Sequence, residues 1–218
     1  MTTRLPTRAM SHSAFAIMIR PNGPGWLIVL EGIDGAGKST VVRRIQQHCA
    51  ERGLESVASA EPTRGPWGMK LRQSMTEGRL SLEEELQLFL KDRAEHVEKL
   101  IQPALRQGKV VVLDRYYFST AAYQGARGVS PEWVLLENER FAPKPDLVLL
   151  LDFDPAAGLD RIRARGDAPN TFEQLDQLRE VRRIFLTLER PFIHRVDASA
   201  GPDAVWAACR DRLDAVLS

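Results

Sequence analysis

Three short runs of apolar residues stand out along the chain, at Trp26–Leu30, Val110–Leu113 and Leu147–Leu151. Apolar residues in these runs do not alternate with polar ones, which is typical of strands buried on both faces of a parallel sheet. Leu54–Ser59 and Phe192–Val196 are two weaker strand candidates. Helical patterns lie between the runs, and strands that alternate with helices form βαβ units with right-handed crossovers. The pattern therefore predicts an α/β protein, with a three-layer α/β/α fold around a five-stranded parallel sheet.

Polar residues mark where several helices begin. The segment from Ser81 to Glu84 is a capping box, and so is the segment from Thr171 to Gln174. Ser130-Pro131 combines an N-cap residue with proline at the first helical position. We therefore expect helices to begin directly after positions 81, 130 and 171.

The helix predicted from Leu82 to Leu105 carries a charge on its apolar stripe. Arg93 lies one turn from both Phe89 and Val97. A charge on an apolar face needs a partner, and for an isolated arginine the default is to reach solvent or to pair with a core carboxylate. Phe89 beside Arg93 also suits a flat nucleobase, because the ring can stack on the base while the guanidinium donates to a carbonyl.

Length and charge narrow the class of protein. A chain of 218 residues suits one well-buried domain, and a net charge of +1 gives no global field for nucleic acid or an anionic membrane. No apolar run approaches the roughly 18 residues that span a bilayer. Cys49 and Cys209 lack metal-ligand spacing, so we interpret them as reduced thiols of a cytoplasmic protein. We expect residues 1–24 to form a flexible extension and residues 25–218 to form the domain.

A phosphate-binding loop follows the first strand. The run from Gly32 to Ser39 fits the Walker A pattern G-x-x-x-x-G-K-[ST], with a strand before it and a helical pattern after it. Its glycines let backbone N–H groups approach phosphate oxygens, and the helix dipole favours the same anion. Lys38 is predicted to reach the β- and γ-phosphates, and Ser39 to offer its hydroxyl to Mg²⁺.

The loop alone does not select one class of nucleotide-using protein. The guanine-reading motif N-K-x-D of GTPases does not occur in the sequence. Asp114-Arg115-Tyr116 directly follows a predicted strand, which places it at the carboxyl edge of the sheet, where ligands bind in open α/β folds. Asp114 there can hold Mg²⁺ and Arg115 can hold a phosphate, although a structural Asp–Arg ion pair is the alternative.

An arginine series precedes a glycine near the middle of the second half. Arg161, Arg163 and Arg165 form R-x-R-x-R before Gly166. Alternate residues of a helix do not share one face, so this is not a simple basic stripe. The series is either a solvated cluster or a lid, at about 163–172, that carries arginines toward a transferring phosphoryl group.

Taken together, these residues resemble the thymidylate kinase family over nearly the whole chain. Four blocks carry the resemblance: Glu31–Thr40; Leu88-Phe89-x-x-x-Arg93-x-x-His96; Asp114-Arg115-Tyr116-x-x-Ser119-Thr120-x-x-Tyr123-Gln124-Gly125; and Asp197-Ala198-Ser199. The third block is the most specific. The family is built on the P-loop NTPase fold with a lid segment, so the resemblance implies that fold here.

The resemblance also implies roles for individual residues. Asp34 would bind the sugar 3′-hydroxyl, Phe89 would stack on thymine, Arg93 would donate to its O4 atom, and Tyr123 would disfavour a ribose. The predicted catalytic residues are Lys38, Arg115, Arg161 and Arg165. The predicted ATP-binding residues are Gly32, Ile33, Asp34, Gly35, Ala36, Gly37, Lys38, Ser39, Thr40, Arg165 and Ala198. The predicted acceptor-binding residues are Asp34, Arg64, Phe89, Arg93, Arg115, Ser119, Tyr123 and Gln124, and the predicted Mg²⁺ ligands are Ser39 and Asp114.

The sequence departs from the family pattern at three places. Many members have E-P-G-G-T where this chain has Glu61-Pro62-Thr63-Arg64-Gly65, so Arg64 either contacts the acceptor phosphate or is solvated. The lid has Asp167-Ala168-Pro169 where an acidic or D-R pair is common. Gly35 stands where some relatives have an arginine, so the resemblance implies that the catalytic charge comes from Arg161, Arg163 or Arg165.

The resemblance implies Mg²⁺-dependent transfer of the ATP γ-phosphoryl group to dTMP, giving dTDP and ADP for dTTP synthesis. It also implies a cytoplasmic homodimer whose partners are dTMP and ATP, with no nucleic acid or membrane. Two alternatives remain open: a P-loop kinase for another nucleoside monophosphate or a deoxynucleoside, and a non-catalytic nucleotide-binding relative.

Overall fold

The computed structural model describes residues 23–78, 80–164 and 171–218. Its strands are β1 (Trp26–Glu31), β2 (Ser56–Ala60), β3 (Val110–Asp114), β4 (Leu147–Asp152) and β5 (Ile193–Asp197). All of the pairings are parallel, and the strand order is β2-β3-β1-β4-β5. The predicted five-stranded parallel sheet is confirmed.

Helices connect the strands, as the alternating pattern predicts. They are α1 (Lys38–Glu51), α2 (Pro66–Glu77), α3 (Leu82–His96), α4 (Gln102–Arg106), α5 (Tyr117–Gly125), α6 (Pro131–Glu139), α7 (Pro155–Arg163), α8 (Thr171–Thr187) and α9 (Pro202–Val216). The capping box at Ser81 and the Ser130 cap are both formed. The capping side chains predicted at Thr171–Gln174 lie outside the part of the chain whose side chains are described.

The long helix predicted from Leu82 to Leu105 is continuous but not uniform. A π-helical turn, Val97–Ile101, joins α3 to α4. Pro103 stands two residues after that turn. Proline lacks an N–H and collides with the carbonyl four residues earlier, so a widened turn before it relieves both problems.

The helices form two layers, one on each face of the sheet. On one face, α1 packs against β1, β2 and β3, and α9 packs against β4, β5 and α1. On the other, α4 packs against β3, while α5 lies between α3, α6 and α8. This three-layer arrangement is the predicted one, and right-handed crossovers in this strand order produce it.

Burial of the central strands explains their uninterrupted apolar sequence. Leu27 to Leu30 of β1 and Val110 to Leu113 of β3 have no exposed surface. Tyr116, Tyr117 and Phe118 extend the core past the end of β3, since each is at most 1% exposed.

The strand ends create one polar edge. The register pairs Leu30 with Asp114 and Asp152 with Asp197, so all strands finish at the same edge. Four of the five strands end on a carboxylate, namely Glu31, Asp114, Asp152 and Asp197. This edge is where an open α/β sheet binds its ligands.

Cys49 and Cys209 are both buried free thiols. Among the described residues, no helix combines the length and the apolar character needed to cross a bilayer.

Candidate active site

The loop between β1 and α1 forms an anion cradle. Gly32, Gly35 and Gly37 have φ angles of 136°, 82° and 97°, which side chains other than glycine rarely adopt. A Cβ atom on Gly32 would lie 2.4 Å from the carbonyl oxygen of Leu151. The glycines therefore permit both the turn and its close packing against β4.

Lys38 lies at the start of α1, and its ammonium group points back over the loop. Its Nζ atom donates to the carbonyl oxygens of Gly32, at 3.1 Å, and Ile33, at 2.9 Å. The side chain is buried, and burial together with the nearby Arg115 lowers its pKa to about 8. A polar cavity of about 190 Å³ opens beside it. The cavity is lined by Asp34, Gly35, Gly37, Lys38, Ser39, Thr40, Asp114 and Arg115.

The two predicted Mg²⁺ ligands are brought together at this cavity. Ser39 Oγ donates to Asp114 Oδ2 at 2.7 Å, and both residues line the cavity wall. A hydroxyl and a carboxylate beside a phosphate cradle fit the oxygen preference of Mg²⁺, which keeps several waters and binds one or two protein groups. Among the described residues, no group of three or more His, Cys, Asp or Glu residues forms a dedicated metal cage.

Arg115 has a left-handed backbone, with φ at 73°, which costs about 1–2 kcal/mol for a residue with a Cβ atom. Its guanidinium donates to Gly32 O at 3.2 Å, Ser119 Oγ at 2.9 Å and Asp34 Oδ1 at 2.7 Å. These contacts join the segment Asp114-Arg115-Tyr116 directly to the phosphate loop.

Asp34 and Tyr123 complete the cluster around Arg115. Tyr123 Oη donates to Asp34 Oδ2 at 2.9 Å, and the guanidinium of Arg115 lies 5.0 Å from the centre of the Tyr123 ring. Partial desolvation opposes ionisation of Asp34, but the cations Arg115 and Lys38 outweigh it and lower its pKa to about 2. Asp34 is therefore an anion throughout the physiological range. About half of its side chain is exposed, which leaves it accessible to a ligand.

Arg93 lies deeper, with only 1% of its surface exposed. It donates to Glu61 Oε2 at 2.8 Å, Asn138 Oδ1 at 2.5 Å and Thr120 Oγ1 at 3.1 Å. Pairing with a core carboxylate is thus confirmed. The Nη2 atom of Arg93 also lies 2.7 Å from Glu61 Oε2, so these contacts engage most of the five N–H groups of the guanidinium. Its contact with a base stays a prediction.

Arg161 reaches the phosphate loop from α7. Its Nη1 atom donates to Gly35 O at 3.1 Å, and its guanidinium lies 3.8 Å from the centre of the Phe153 ring. A Cβ atom on Gly35 would lie 2.6 Å from Gly158 O, and one on Gly158 would lie 2.8 Å from Asp34 O. Two glycines without side chains therefore let α7 approach the loop closely enough to place Arg161 there.

Comparison with known proteins now decides the family. The thymidylate kinase family model matches residues 30–208 of this chain. The thymidylate kinase of Xanthomonas euvesicatoria is 55% identical over 205 residues, which cover 90% of this chain and 89% of the relative. That of Xylella fastidiosa is 52% identical over 184 residues, which cover 84% of each chain. This chain belongs to the thymidylate kinase family. The resemblance inferred from the four sequence blocks is confirmed.

Within this family member, the departure at Thr63-Arg64 has its own support. Asp92 of α3, which is 3% exposed, accepts hydrogen bonds from the Thr63 backbone N–H at 2.7 Å and from Thr63 Oγ1 at 2.5 Å. Arg72 donates to the carbonyl oxygens of Pro62 and Thr63. Arg64 itself is exposed and has no hydrogen bond or ion pair with any residue that the structure describes. The backbone of this loop is thus held in place, while the Arg64 side chain remains accessible to a ligand.

The remaining predicted residues occupy mixed environments. Phe89 is half-buried and is not among the apolar side chains packed on the main core. Gln124 is buried and accepts from Arg127 Nη1 at 3.0 Å, and Ala198 is buried with its N–H donating to Asp152 O at 2.9 Å. Ile33 and Ala36 are buried in the loop, whereas Thr40 is exposed. Arg165 and most of the predicted lid lie outside the described residues.

Sequence reasoning missed several polar residues that build the site. Four of them are at most 5% exposed, and each forms a hydrogen bond with a predicted functional residue or with the loop that carries one: Glu31, Glu61, Asp92 and Asn138. The signal for Glu31 was present, because a charge at the end of an apolar strand needs a partner. Asn138 gave no such signal, since it is one polar residue in a helix of mixed character.

Proposed function

We propose that this protein is a dTMP kinase, which transfers the γ-phosphoryl group of ATP to dTMP and gives dTDP and ADP. Membership of the family and the names of its relatives support this activity. The observation that best supports this activity is the Asp34–Arg115 ion pair. It joins the phosphate loop to Asp114-Arg115-Tyr116, the motif that the family uses to bind the acceptor. Two phosphate-binding groups that meet at one polar cavity suit a direct transfer between two nucleotides.

The donor half would hold ATP through the loop. Backbone N–H groups of the glycine loop and the N-terminus of α1 favour the triphosphate, and Lys38 adds a positive charge. When bound, Mg²⁺ held by Ser39 and Asp114 would neutralise charge on the phosphates. No covalent intermediate on the protein is required, since positioning and charge stabilisation account for this class of reaction.

The acceptor half would hold dTMP by its phosphate, sugar and base. Arg115 binds the phosphate, Asp34 accepts from the 3′-hydroxyl, and Tyr123 lies against the sugar. Arg115 and Asp34 pair with each other at 2.7 Å, so a bound acceptor would replace part of that pair with contacts to dTMP. Phe89 stacks on the base, and Arg93 with Gln124 reads its edge.

Among the described arginines, Arg161 of α7 is the best candidate to supply the catalytic positive charge. It already contacts the loop at Gly35, where some relatives carry an arginine. A guanidinium at that place can stabilise charge that develops on the transferring group. Arg165 is the second candidate, on the family resemblance alone.

We also propose that the protein forms a homodimer through helices, as its family does. Trp133 and Leu136 of α6 support this proposal, because 43% and 54% of their surfaces are exposed. Large apolar side chains grouped on one helix face mark a protein contact more often than an isolated one does. Multi-angle light scattering of the wild type and of Leu136→Glu tests it, with a monomeric wild type as the contradicting result.

A panel of acceptors tests the enzyme proposal. Purified protein with Mg²⁺ and ATP is given dTMP, dUMP, dCMP, dGMP, dAMP and the free deoxynucleosides, and ADP formation is followed. dTMP should have the highest kcat/KM. Preference for another acceptor would favour the alternative that the altered Thr63-Arg64 loop raises. ATP binding without transfer to any acceptor would show a non-catalytic relative.

A further inference from the structure

Glu31 is a buried carboxylate to which the proposed transfer assigns no task. It is the last residue of β1 and has no exposed surface. A buried carboxylate is costly unless hydrogen bonds or cations compensate for lost water. Its partners therefore indicate what it does.

The partners of Glu31 all belong to the segment that follows Arg115. Oε1 accepts hydrogen bonds from the backbone N–H of Tyr116, at 2.8 Å, and of Ser119, at 3.1 Å. Oε2 accepts from the Ser119 hydroxyl at 2.5 Å. Tyr116 is the N-cap residue of α5 and supplies no side-chain cap. Glu31 thus takes the place of the missing cap at the N-terminus of α5.

This cap acts directly on the strained backbone of Arg115. The Arg115 N–H donates to Leu30 O at 2.9 Å, and the next N–H, of Tyr116, donates to Glu31. Two successive amides of the acceptor motif are therefore tied to two successive residues of β1. A left-handed arginine persists only where its surroundings over-determine it, and these two bonds flank it on both sides.

The side chain of Arg115 is held by the same carboxylate through one intermediary. Ser119 Oγ accepts from Arg115 Nη1 at 2.9 Å while it donates to Glu31 Oε2. Burial raises the pKa of Glu31, and the nearby cations Arg115 and Lys38 oppose that rise. Both the backbone and the guanidinium of Arg115 are thus oriented from Glu31.

We propose that Glu31 is a positioning residue for the acceptor, which aligns Arg115 with the phosphate of dTMP. Through Glu31, β1, the strand that precedes the phosphate loop, also orients Arg115. This proposal rests on the proposed function only for the identity of the acceptor.

The alternative is that Glu31 is a structural helix cap and no more. A cap stabilises all of α5, which also carries Tyr123 and Gln124, so its loss should weaken contacts to the sugar and base together with those to the phosphate. The two accounts differ in which part of the acceptor a substitution affects, so the test compares dTMP with thymidine, which lacks the phosphate, as well as with MgATP.

Glu31→Gln is the informative variant because it keeps the shape of the side chain. Its amide oxygen can still accept from the two backbone N–H groups, but its amide nitrogen cannot accept from the Ser119 hydroxyl. We expect kcat/KM for the acceptor to fall roughly 10- to 100-fold, the loss typical of a small misplacement of a binding group. The dissociation constants for MgATP and for thymidine should each change less than about twofold.

Asp214→Asn is the matched control. It makes the same carboxylate-to-amide change at a carboxylate of α9 that pairs with His48 and Arg52, near the far end of α1. Its kinetic constants should equal those of the wild type. Ser119→Ala serves as the second variant if Glu31→Gln does not fold, since it removes only the hydroxyl between Glu31 and Arg115. It should show the same acceptor-specific loss.

The outcomes separate the two proposals. If wild type does not phosphorylate dTMP, the proposed function fails, and the variants are compared on the best acceptor of the panel. If the wild type is active and Glu31→Gln keeps its kcat/KM within twofold, the positioning role is wrong. Equal losses for dTMP and thymidine, equal losses for acceptor and MgATP, or a lower melting temperature with unchanged kinetics would likewise show that Glu31 is only a structural cap.

Discussion

The regions around Arg93, which is buried, and Arg115, which is partly exposed, hold their arginines in opposite ways. Arg93 is enclosed by Glu61, Asn138 and Thr120, all of which are buried protein groups. Arg115 instead pairs with Asp34, about half of whose side chain is exposed at the polar cavity. A ligand can compete for the second pair but not readily for the first. We therefore expect Arg93 to offer the base a rigid surface and Arg115 to exchange partners when an acceptor phosphate binds.

Removal of Arg115 should have the largest effect on turnover. Arg115→Met is expected to lower kcat/KM for dTMP on the order of 1,000-fold, about 4 kcal/mol, because a positioned cation in a polar site is lost. Arg115→Lys should recover little of this, since an ammonium cannot reproduce the bidentate fork. Steady-state kinetics with dTMP as the varied substrate measures both. Activity within tenfold of wild type in the methionine variant would contradict the role.

Removal of Arg93 should instead appear mainly in stability. Arg93→Met leaves Glu61 buried with the His96 imidazole, at 2.9 Å, but without its guanidinium partner, and we expect the free energy of unfolding to fall by about 3 kcal/mol. Urea denaturation monitored by circular dichroism measures the change. The double variant Arg93→Met with Glu61→Gln should recover a large part of the loss, because the orphaned charge is gone. An unfolding free energy within 1 kcal/mol of wild type for the single variant would contradict this account.

The pH dependence of the free energy of unfolding should reveal the raised pKa of Glu31. Burial raises its pKa to about 7 against the favourable contacts of Ser119 and Arg115. The folded state then binds the proton more tightly than the unfolded state, whose glutamate titrates near 4.5. The stability that comes from this protonation is complete below pH 4.5 and is lost as pH rises to about 7.

Glu31→Gln isolates this contribution from the other groups. Relative to wild type, the variant should gain about 2 kcal/mol of unfolding free energy between pH 5 and pH 8. Urea denaturation at several pH values measures the difference. A constant difference across this range would show that Glu31 has an ordinary pKa in the folded protein.

The smallest expected effect belongs to the loop that departs from the family pattern. Arg64→Ala should raise KM for dTMP about fivefold, near 1 kcal/mol, because one exposed phosphate contact is lost. Stability should change by less than about 0.5 kcal/mol, as is usual for an exposed side chain. Lys99→Ala, at another exposed cation, is the control and should change neither quantity. An unchanged KM in Arg64→Ala would mean that Arg64 is solvated.

Contiguous features of this protein were predictable, and features that join distant segments were not. The strands and the glycine loop are local patterns, and β1, β3 and β4 begin where the apolar runs begin and end one residue beyond them. The ring of contacts around Arg93 joins residues 27, 32 and 45 positions away along the chain. No period or motif indicates such partners, because only the fold brings them together.

The contact between the loop and α7 shows the same limit. That Gly35 lacks a side chain was visible in the sequence, and it indicated that a charge must come from elsewhere. The requirement for a second glycine at Gly158 was not visible, because it depends on how closely α7 approaches. The roles predicted for Arg161, Arg64 and the acceptor residues stay predictions until the variants are measured.

The most direct test compares the binding of dTMP and thymidine, which differ only in the phosphate. Isothermal titration calorimetry gives the ratio of their dissociation constants for wild type, Arg115→Met and Arg93→Met. We predict that Arg115→Met lowers the preference for dTMP about 30-fold, near 2 kcal/mol, since a hydrogen bond to a charged group is lost. Arg93→Met should weaken both ligands equally and leave the ratio unchanged. The assignment of the phosphate to Arg115 would be contradicted if Arg115→Met kept the wild-type preference for dTMP over thymidine. It would also be contradicted if Arg93→Met lost that preference.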